Sequence, residues 1–429
     1  MINTITPIYS IQPLKVTNVQ PVYYQQPDTV KVENPYINKK PLIDRKIIKE
    51  NENINEFFDK ISSQIFKDSS TAPIFAQLLK YGYVSLSSSC YEDLKTPYSA
   101  KAVKLNPNKL PSQNCAYLEE YVKEGIGVGV NFNEFKNPIE QIKQINGYFK
   151  FRQPTSIRPP AGIALLSVNH PKILDFIKLK DNSNFDDWCF DLSVIMDDKF
   201  LSLVDTNQNI KMFDGSEMPA KEIYSALLNS MKKSGEPGIV FSNNPNFICD
   251  CCNATELKEN QTLTLAHINL SKFYNPKTNR CDCDYLKYVS DILAHAARNI
   301  DKNSYIGVMG YQELLNEMGL KYGTKEANQV LEDCLTIIKL SGCKMALSPT
   351  GTTSRILKTT PSIEPSDNKD LTYKQEIDVM AHAQKYLEGG ISKTIQLKQG
   401  ADIKDIDEII RYSKTKNLKG ITVFPKNIA

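Results

Sequence analysis

The chain has 429 residues, enough for one large α/β domain or two ordinary ones, and its 41% hydrophobic residues allow a sizeable core. A net charge of +3 gives no compositional case for a nucleic-acid surface or a polybasic membrane anchor. No apolar run approaches the ~18 residues of a membrane span, and the N-terminus has no basic-then-apolar leader, so the sequence reads as cytosolic. In that compartment the ten cysteines are expected as thiols, some buried and some catalytic or metal-binding, rather than as a disulfide framework.

Residues 1–45 are rich in Pro, Gln, Asn and Tyr and lack a helical apolar stripe, so an extended or disordered arm is expected there, ahead of one compact domain over 46–429. Beyond the arm, short apolar or alternating runs predict strands: "YVSLSS" at 83–88, "IGVGVNF" at 126–132, "GIALLSV" at 162–168, "CFDLSVI" at 189–195, "GIVFSN" at 238–243, "LTLAHINL" at 263–270, "KMALS" at 344–348, "ISKTIQL" at 391–397 and "GITVF" at 420–424. Helical patterns lie between them, among them 220–234, 284–300 and 324–342, the last ending at a glycine. Strands alternating with helices predict a closed α/β barrel or a wide mixed sheet. The alternate glycines of "GIGVGVNF" do not fit a dinucleotide fingerprint; they mark a strand that a ligand or another backbone approaches closely.

Two stretches have the composition for chemistry. "LSPTGTTSRIL" at 347–357 follows a strand and opens a helix, where small residues and hydroxyls suit a phosphate; a simple helix cap is the bland alternative. "ICDCCNATEL" at 248–257 places three cysteines within four positions, and "CDCD" follows at Cys281 and Cys283. Together they could offer thiolates to a metal, but these spacings are tighter than the usual zinc knuckle. The four histidines, His170, His267, His295 and His382, are scattered and form no i, i+4 pair, which leaves a histidine metal site weakly supported.

Several stretches, in order from about residue 80 to 425, resemble the catalytic subunit of ribonucleotide reductase, and most of all its adenosylcobalamin-dependent class. "GVGVNF", "SVNHPKILDFIKLK", "FDLSVIMDDKFLSLV", "GEPGIVFSN", "HINLSKFY", "IGVMGYQELLNEMGLKYGTKEA", "PTGTTSRI" and "GISKTIQLKQGADIKDIDEIIRYSKTKNLKGITVF" each look like a family motif. The resemblance implies a ten-stranded α/β barrel with an internal finger loop, whose tip cysteine becomes a thiyl radical while two further cysteines supply reducing equivalents. Carried over residue by residue, Cys252 takes the radical position and Cys90, in "SSSCYEDL", that of a redox cysteine, with Ser89 near the substrate. Asp250 stands where the family has Asn and Ala254 where it has Glu; Glu256, two residues on, is the substitute acid. Pro349, Thr350, Gly351, Thr352 and Thr353 would hold the substrate's phosphates. The second redox cysteine is replaced by Leu263, so Cys249, Cys251, Cys281 or Cys283 would stand in for it. The segments after "NFNEF" and around "SGCKMALSPTG" are short for the family, and neither an ATP-cone pattern nor a Cys-rich C-terminal tail is recognised.

The resemblance therefore implies an oxidoreductase acting on a ribonucleotide, with adenosylcobalamin as radical source and an external dithiol such as thioredoxin as reductant; a homodimer is left open, and neither nucleic acid nor membrane is expected as a partner. Two alternatives remain at this point: a degenerate paralogue that binds nucleotides or modulates a complete reductase, and a thiolate metal-binding protein.

Overall fold

A computed structural model describes residues 34–67, 70–156, 158–253, 255–365, 371–391 and 394–425. Most of the expected arm lies outside them. Within the expected arm, Lys40–Asp44 is a short helix, and Ile37 and Leu42 are buried.

Ten strands build the central sheet. They are β1 (Ala100–Val103), β2 (Gly127–Asn131), β3 (Gly162–Ser167), β4 (Phe190–Met196), β5 (Gly238–Phe241), β6 (Thr262–Asn269), β7 (Ser304–Met309), β8 (Lys344–Met345), β9 (Thr394–Leu397) and β10 (Gly420–Pro425). β1 to β5 pair in sequence order, all parallel. β6, β7 and β8 form a second parallel run, and β9 pairs parallel with β10. The two sets run antiparallel to each other, joined where β1 meets β6 and where β10 meets β5. At the remaining gap, Leu347 just after β8 bridges in parallel to Ile391 just before β9. The ring order 1-2-3-4-5-10-9-8-7-6 is the expected ten-stranded α/β barrel, made of two five-stranded halves.

Most of these strands are buried on both faces, which is why they read as nearly continuous apolar runs. Eight of the nine predicted strands are staves of the barrel. The ninth, at 83–88, is a short strand, Val84–Leu86, antiparallel to β6 on its outer course, followed by the helix Ser88–Glu92. β1 and β7 complete the ten. β1 was not predicted because "AKAV" has little β-propensity of its own and is held by its neighbours on either side.

Helices cover the outside. Ala220–Ser234 ends on Gly235 at φ +77°, a left-handed stop that favours glycine. Cys283–Ile300 starts on Asp282, whose carboxylate accepts the Tyr285 N–H, and Lys325–Lys339 starts on Thr324, whose hydroxyl accepts the Ala327 N–H. Apolar residues form one large core between barrel and helices and two smaller clusters. The smaller clusters contain the residues that fill the barrel.

Candidate active site

The chain between β5 and β6, residues 242–261, folds back into the ring. Phe247 and Cys249 pack against Ile163 and Leu165 of β3, Ile195 of β4 and Val240 of β5. Ile248 and Leu257 pack against Ala100 and Ala102 of β1, Leu263 and Leu265 of β6, Tyr305 of β7 and Ala346, with Cys251 beside them. One loop thus touches inward positions around much of the ring, which makes it the expected finger loop.

Its entry is tied down by Asn131, whose side-chain amide donates to the carbonyls of Pro245 and Phe247 at 2.7 and 2.9 Å. Next the loop passes the two glycines of β2. A Cβ at Gly129 would stand 1.7 Å from the Cys249 carbonyl oxygen, and one at Gly127 would stand 2.3 Å from the Cys251 sulfur. The alternate glycines therefore admit another backbone, one of the two uses expected from sequence.

The tip is a hairpin. Cys249 bridges antiparallel to Glu256, the Leu257 N–H donates to the Ile248 carbonyl at 3.0 Å, and the Asp250 N–H donates to the Thr255 carbonyl at 3.0 Å. Asn253 turns the chain at φ +55°. The Asp250 carboxylate lies inside this turn and accepts the N–H of Thr255 at 2.6 Å and of Cys252 at 3.2 Å. Cys252 is half-buried at the tip, its sulfur 3.8 Å from that of Cys251. That hydrogen bond and burial hold the Cys252 thiol well above its ordinary value, so it stays S–H. Burial does the same to Cys249, which is fully enclosed.

Asp250, Cys251 and Cys252 each bring one donor atom within 4.8 Å of the others. Both carboxylate oxygens already serve backbone N–H groups and the Cys252 sulfur is held protonated, which is the chemistry of a hydrogen-bonded turn more than of a cation site. Cys281 and Cys283 are not brought to this cluster. Cys281 contacts Cys334 of the outer helix Lys325–Lys339 instead, so the two cysteine-rich stretches do not form one metal knuckle.

The other expected residues fall as follows. Cys90 lies on the helix Ser88–Glu92 ahead of β1, fully buried in the outer core, with its sulfur near Ser87 Oγ at 3.2 Å and the Pro97 carbonyl at 3.7 Å. Burial pushes this thiol up to about 12. Ser89 Oγ donates to the Pro97 carbonyl and meets Ser99 Oγ at 3.0 Å, just before β1. Glu256 is exposed, and Ala254 lies outside the described residues. Leu263, at the expected redox-cysteine position, faces into the barrel in the same cluster as Cys251.

The helix Gly351–Leu357 spans seven residues. Thr350 precedes it at φ +51°; its hydroxyl accepts the Ser362 N–H, and Thr353 Oγ donates back to the Thr350 carbonyl. Those two hydroxyls shape the turn. Pro349 and Gly351 are exposed, and Thr352 Oγ1 accepts a 2.9 Å bond from Arg45 Nη2. Arg45 also faces Glu92 at 3.7 Å, and burial, then repulsion from Arg158, lowers its pKa, with a smaller part from Arg355. Sequence reasoning missed Arg45 because it falls inside the segment read as an arm. His267 was missed too: it is buried on β6, its Nε2 3.2 Å from Ser348 Oγ beneath the turn. Its signal was a charged-type residue in an apolar strand, visible in "LTLAHINL" but equally the mark of an ordinary core histidine.

A family model described as "Ribonucleotide reductase, barrel domain" matches residues 118–346, more than half of the chain. A vitamin B12-dependent ribonucleoside-diphosphate reductase of Thermoplasma acidophilum is 22% identical over 62% of this chain and 51% of its own length. Proteins of the same name from two strains of Mycobacterium tuberculosis are 29% identical over 40% of this chain and 29% of theirs. The chain thus spans at most about half the length of these relatives.

Proposed function

We propose, on the premise that this chain belongs to the ribonucleotide reductase barrel-domain family, that it reduces ribonucleotides to deoxyribonucleotides with Cys252 as the thiyl site. One observation supports this above the rest: Cys252 stands at the tip of a hairpin enclosed by a ten-stranded barrel. A sulfur that must give up and take back a hydrogen atom has to be kept as S–H, and its environment does so. An enclosing barrel keeps a radical from solvent and side reactions.

In this reading Asp250 positions the tip through its two backbone bonds. Glu256, exposed on the hairpin opposite Cys249, is the acid two residues from position 254, where the family has Glu. Replacing the 2′ hydroxyl by hydrogen consumes two electrons and two protons, which two thiols give up as they become a disulfide, with water leaving. Cys90, carried over from the family as one of these thiols, lies in the outer core, so forming the disulfide requires it to move toward the barrel interior. Cys251 is the other, since it packs in the same cluster as Leu263, where the second redox cysteine was expected. Pro349, Thr350, Gly351, Thr352 and Thr353 form the phosphate end of the substrate site, with Ser89 nearer the sugar and Arg45 adding a cation at Thr352. An external dithiol such as thioredoxin restores the thiols.

The relatives' names point to vitamin B12. Adenosylcobalamin, when bound, would supply the first hydrogen-abstracting radical, and the half-buried Cys252 sulfur fits a radical arriving from outside the loop. No residue is assigned to cobalt: His170 and His267 are buried and hydrogen-bonded within the chain, His295 packs edge-on against Phe66, and His382 bonds to its own helix.

Anaerobic incubation with adenosylcobalamin, a dithiol and each of the four ribonucleotides, as di- and triphosphates, should yield a deoxynucleotide. Cys252→Ala should abolish it with nucleotide binding intact. No product from any substrate in folded protein would overturn the reading.

A further inference from the structure

Three cysteines outside the barrel take no part in that chemistry. Cys281 ends a small hairpin, paired across it with Tyr274. Cys283, two residues on, opens the helix Cys283–Ile300. Cys334 comes from the helix Lys325–Lys339, more than fifty residues further along the chain, and is fully buried. Yet the Cys334 and Cys281 sulfurs lie 3.6 Å apart. Cys281 is half-buried and Cys283 exposed, and both line an open hollow of about 440 Å³.

This arrangement has the parts of a thiol–disulfide exchange site. Two sulfurs from separate elements are already in contact, so the ~2.05 Å bond needs only small side-chain adjustments. A third thiol next to them is open to solvent. The S–H of Cys334 donates to Cys281, and that bond draws the Cys281 thiol below its ordinary value, favouring the attacking thiolate.

We propose that Cys281 and Cys334 form a reversible dithiol–disulfide pair on the outer face of the barrel, with Cys283 as the thiol through which a small-molecule disulfide reaches them. Burial, then the neighbouring Cys281 charge, holds the exposed Cys283 thiol up at about 11, so it is the minor thiolate form of Cys283 that attacks the small disulfide, forming a mixed disulfide and releasing one small thiol. Cys281 attacks the Cys283 sulfur, forming a 281–283 disulfide and releasing the second small thiol. Cys334 then attacks Cys281, leaving the 281–334 disulfide and a free Cys283. Two protein thiols lose two electrons and two protons, and one small disulfide gains them. The bond fastens the hairpin to the helix that leads into β8 and the Thr350 turn. The proposal stands on these three residues and does not depend on the reductase reading.

The test uses the full chain, reduced, desalted and then exposed to oxidised glutathione. After alkylation and trypsin, residues 281–287 and 326–339 are separate peptides. The expected product is a disulfide between them. In Cys283→Ser the same link should form at least about tenfold more slowly, because the exposed entry thiol is gone. Cys334→Ser should stop at a disulfide within peptide 281–287. Should that core variant fail to fold, Cys281→Ser at the half-buried position should give no link and an unmodified Cys334. Recovery of both peptides fully alkylated from folded, oxidised protein would overturn the proposal. So would a link that persists in Cys281→Ser, or zinc retained by these thiols in the reduced protein.

Discussion

His267 shows how one buried side chain sets a measurable property. It is 2% exposed on β6, and burial pulls its pKa down to about 4 from 6.5. Between those values the unfolded chain takes up the proton and the folded chain does not. The neutral imidazole therefore costs the fold nothing above pH 6.5, and its stability contribution is lost as the pH falls through 4. At 1.36 kcal/mol per pH unit the whole effect is at most about 3.5 kcal/mol. Replacing His267 by Gln should flatten the loss of stability between pH 6.5 and 4, measured as urea midpoints across that range. An unchanged slope would assign the acid sensitivity to other groups. Cys90 lies at the opposite extreme: its thiol stays protonated up to about pH 12, so it should alkylate slowly while the protein is folded.

The finger loop lies against the glycines of β2, and two glycine substitutions separate that contact from a mere helix effect. Gly129→Ala would put a methyl group into the Cys249 carbonyl. It should lower stability by about 1–3 kcal/mol or more and expose Cys251 and Cys252 to thiol reagents. Gly147, in the helix Pro138–Arg152, has nothing within 4 Å, so Gly147→Ala should instead raise stability by about 0.4–1 kcal/mol. Equal effects in the two variants, read from denaturation curves, would mean that the loop does not press on Gly129. At this scale the sequence was informative where pattern and packing agree. The alternate glycines announced a close approach, and "AKEIYSALLNSMKKS" at 220–234 matches its helix end for end. It was silent where tertiary contacts decide: β1 owes its form to its neighbours, and the strand expected at 83–88 stops at Leu86 and gives way to the helix Ser88–Glu92, which carries Cys90 into the outer core.

The barrel as a whole was legible because ten parallel or antiparallel staves with buried faces leave long apolar runs, and because many motifs lie in one order along the chain. The candidate site was legible only in part. Cys252 could be placed from the loop it belongs to, but the partnership of Cys251 with the Leu263 cluster, the reach of Arg45 to Thr352 and the pairing of Cys281 with Cys334 join residues far apart in sequence, and no local pattern announces them. β5 and β6 run antiparallel, so residues 242–261 leave and rejoin the ring at the same end, and the hairpin can enter through that end without a join opening. Two of the joins between strand sets have laddered strands, whereas among the described residues the third has the isolated Leu347–Ile391 bridge, with the Leu347 N–H donating to Gly390 and the Gly389 N–H donating to Met345. That third join, which has no strand ladder, is the first expected to open. Amide hydrogens of Leu347 and Gly389, which donate across this join to Gly390 and Met345, should exchange faster than those of β3 and β4. Equal protection on both sides of the molecule would mean that the ring opens elsewhere. If it does open here, the gap lies beside the Thr350 turn, at the edge nearest the proposed phosphate end of the site.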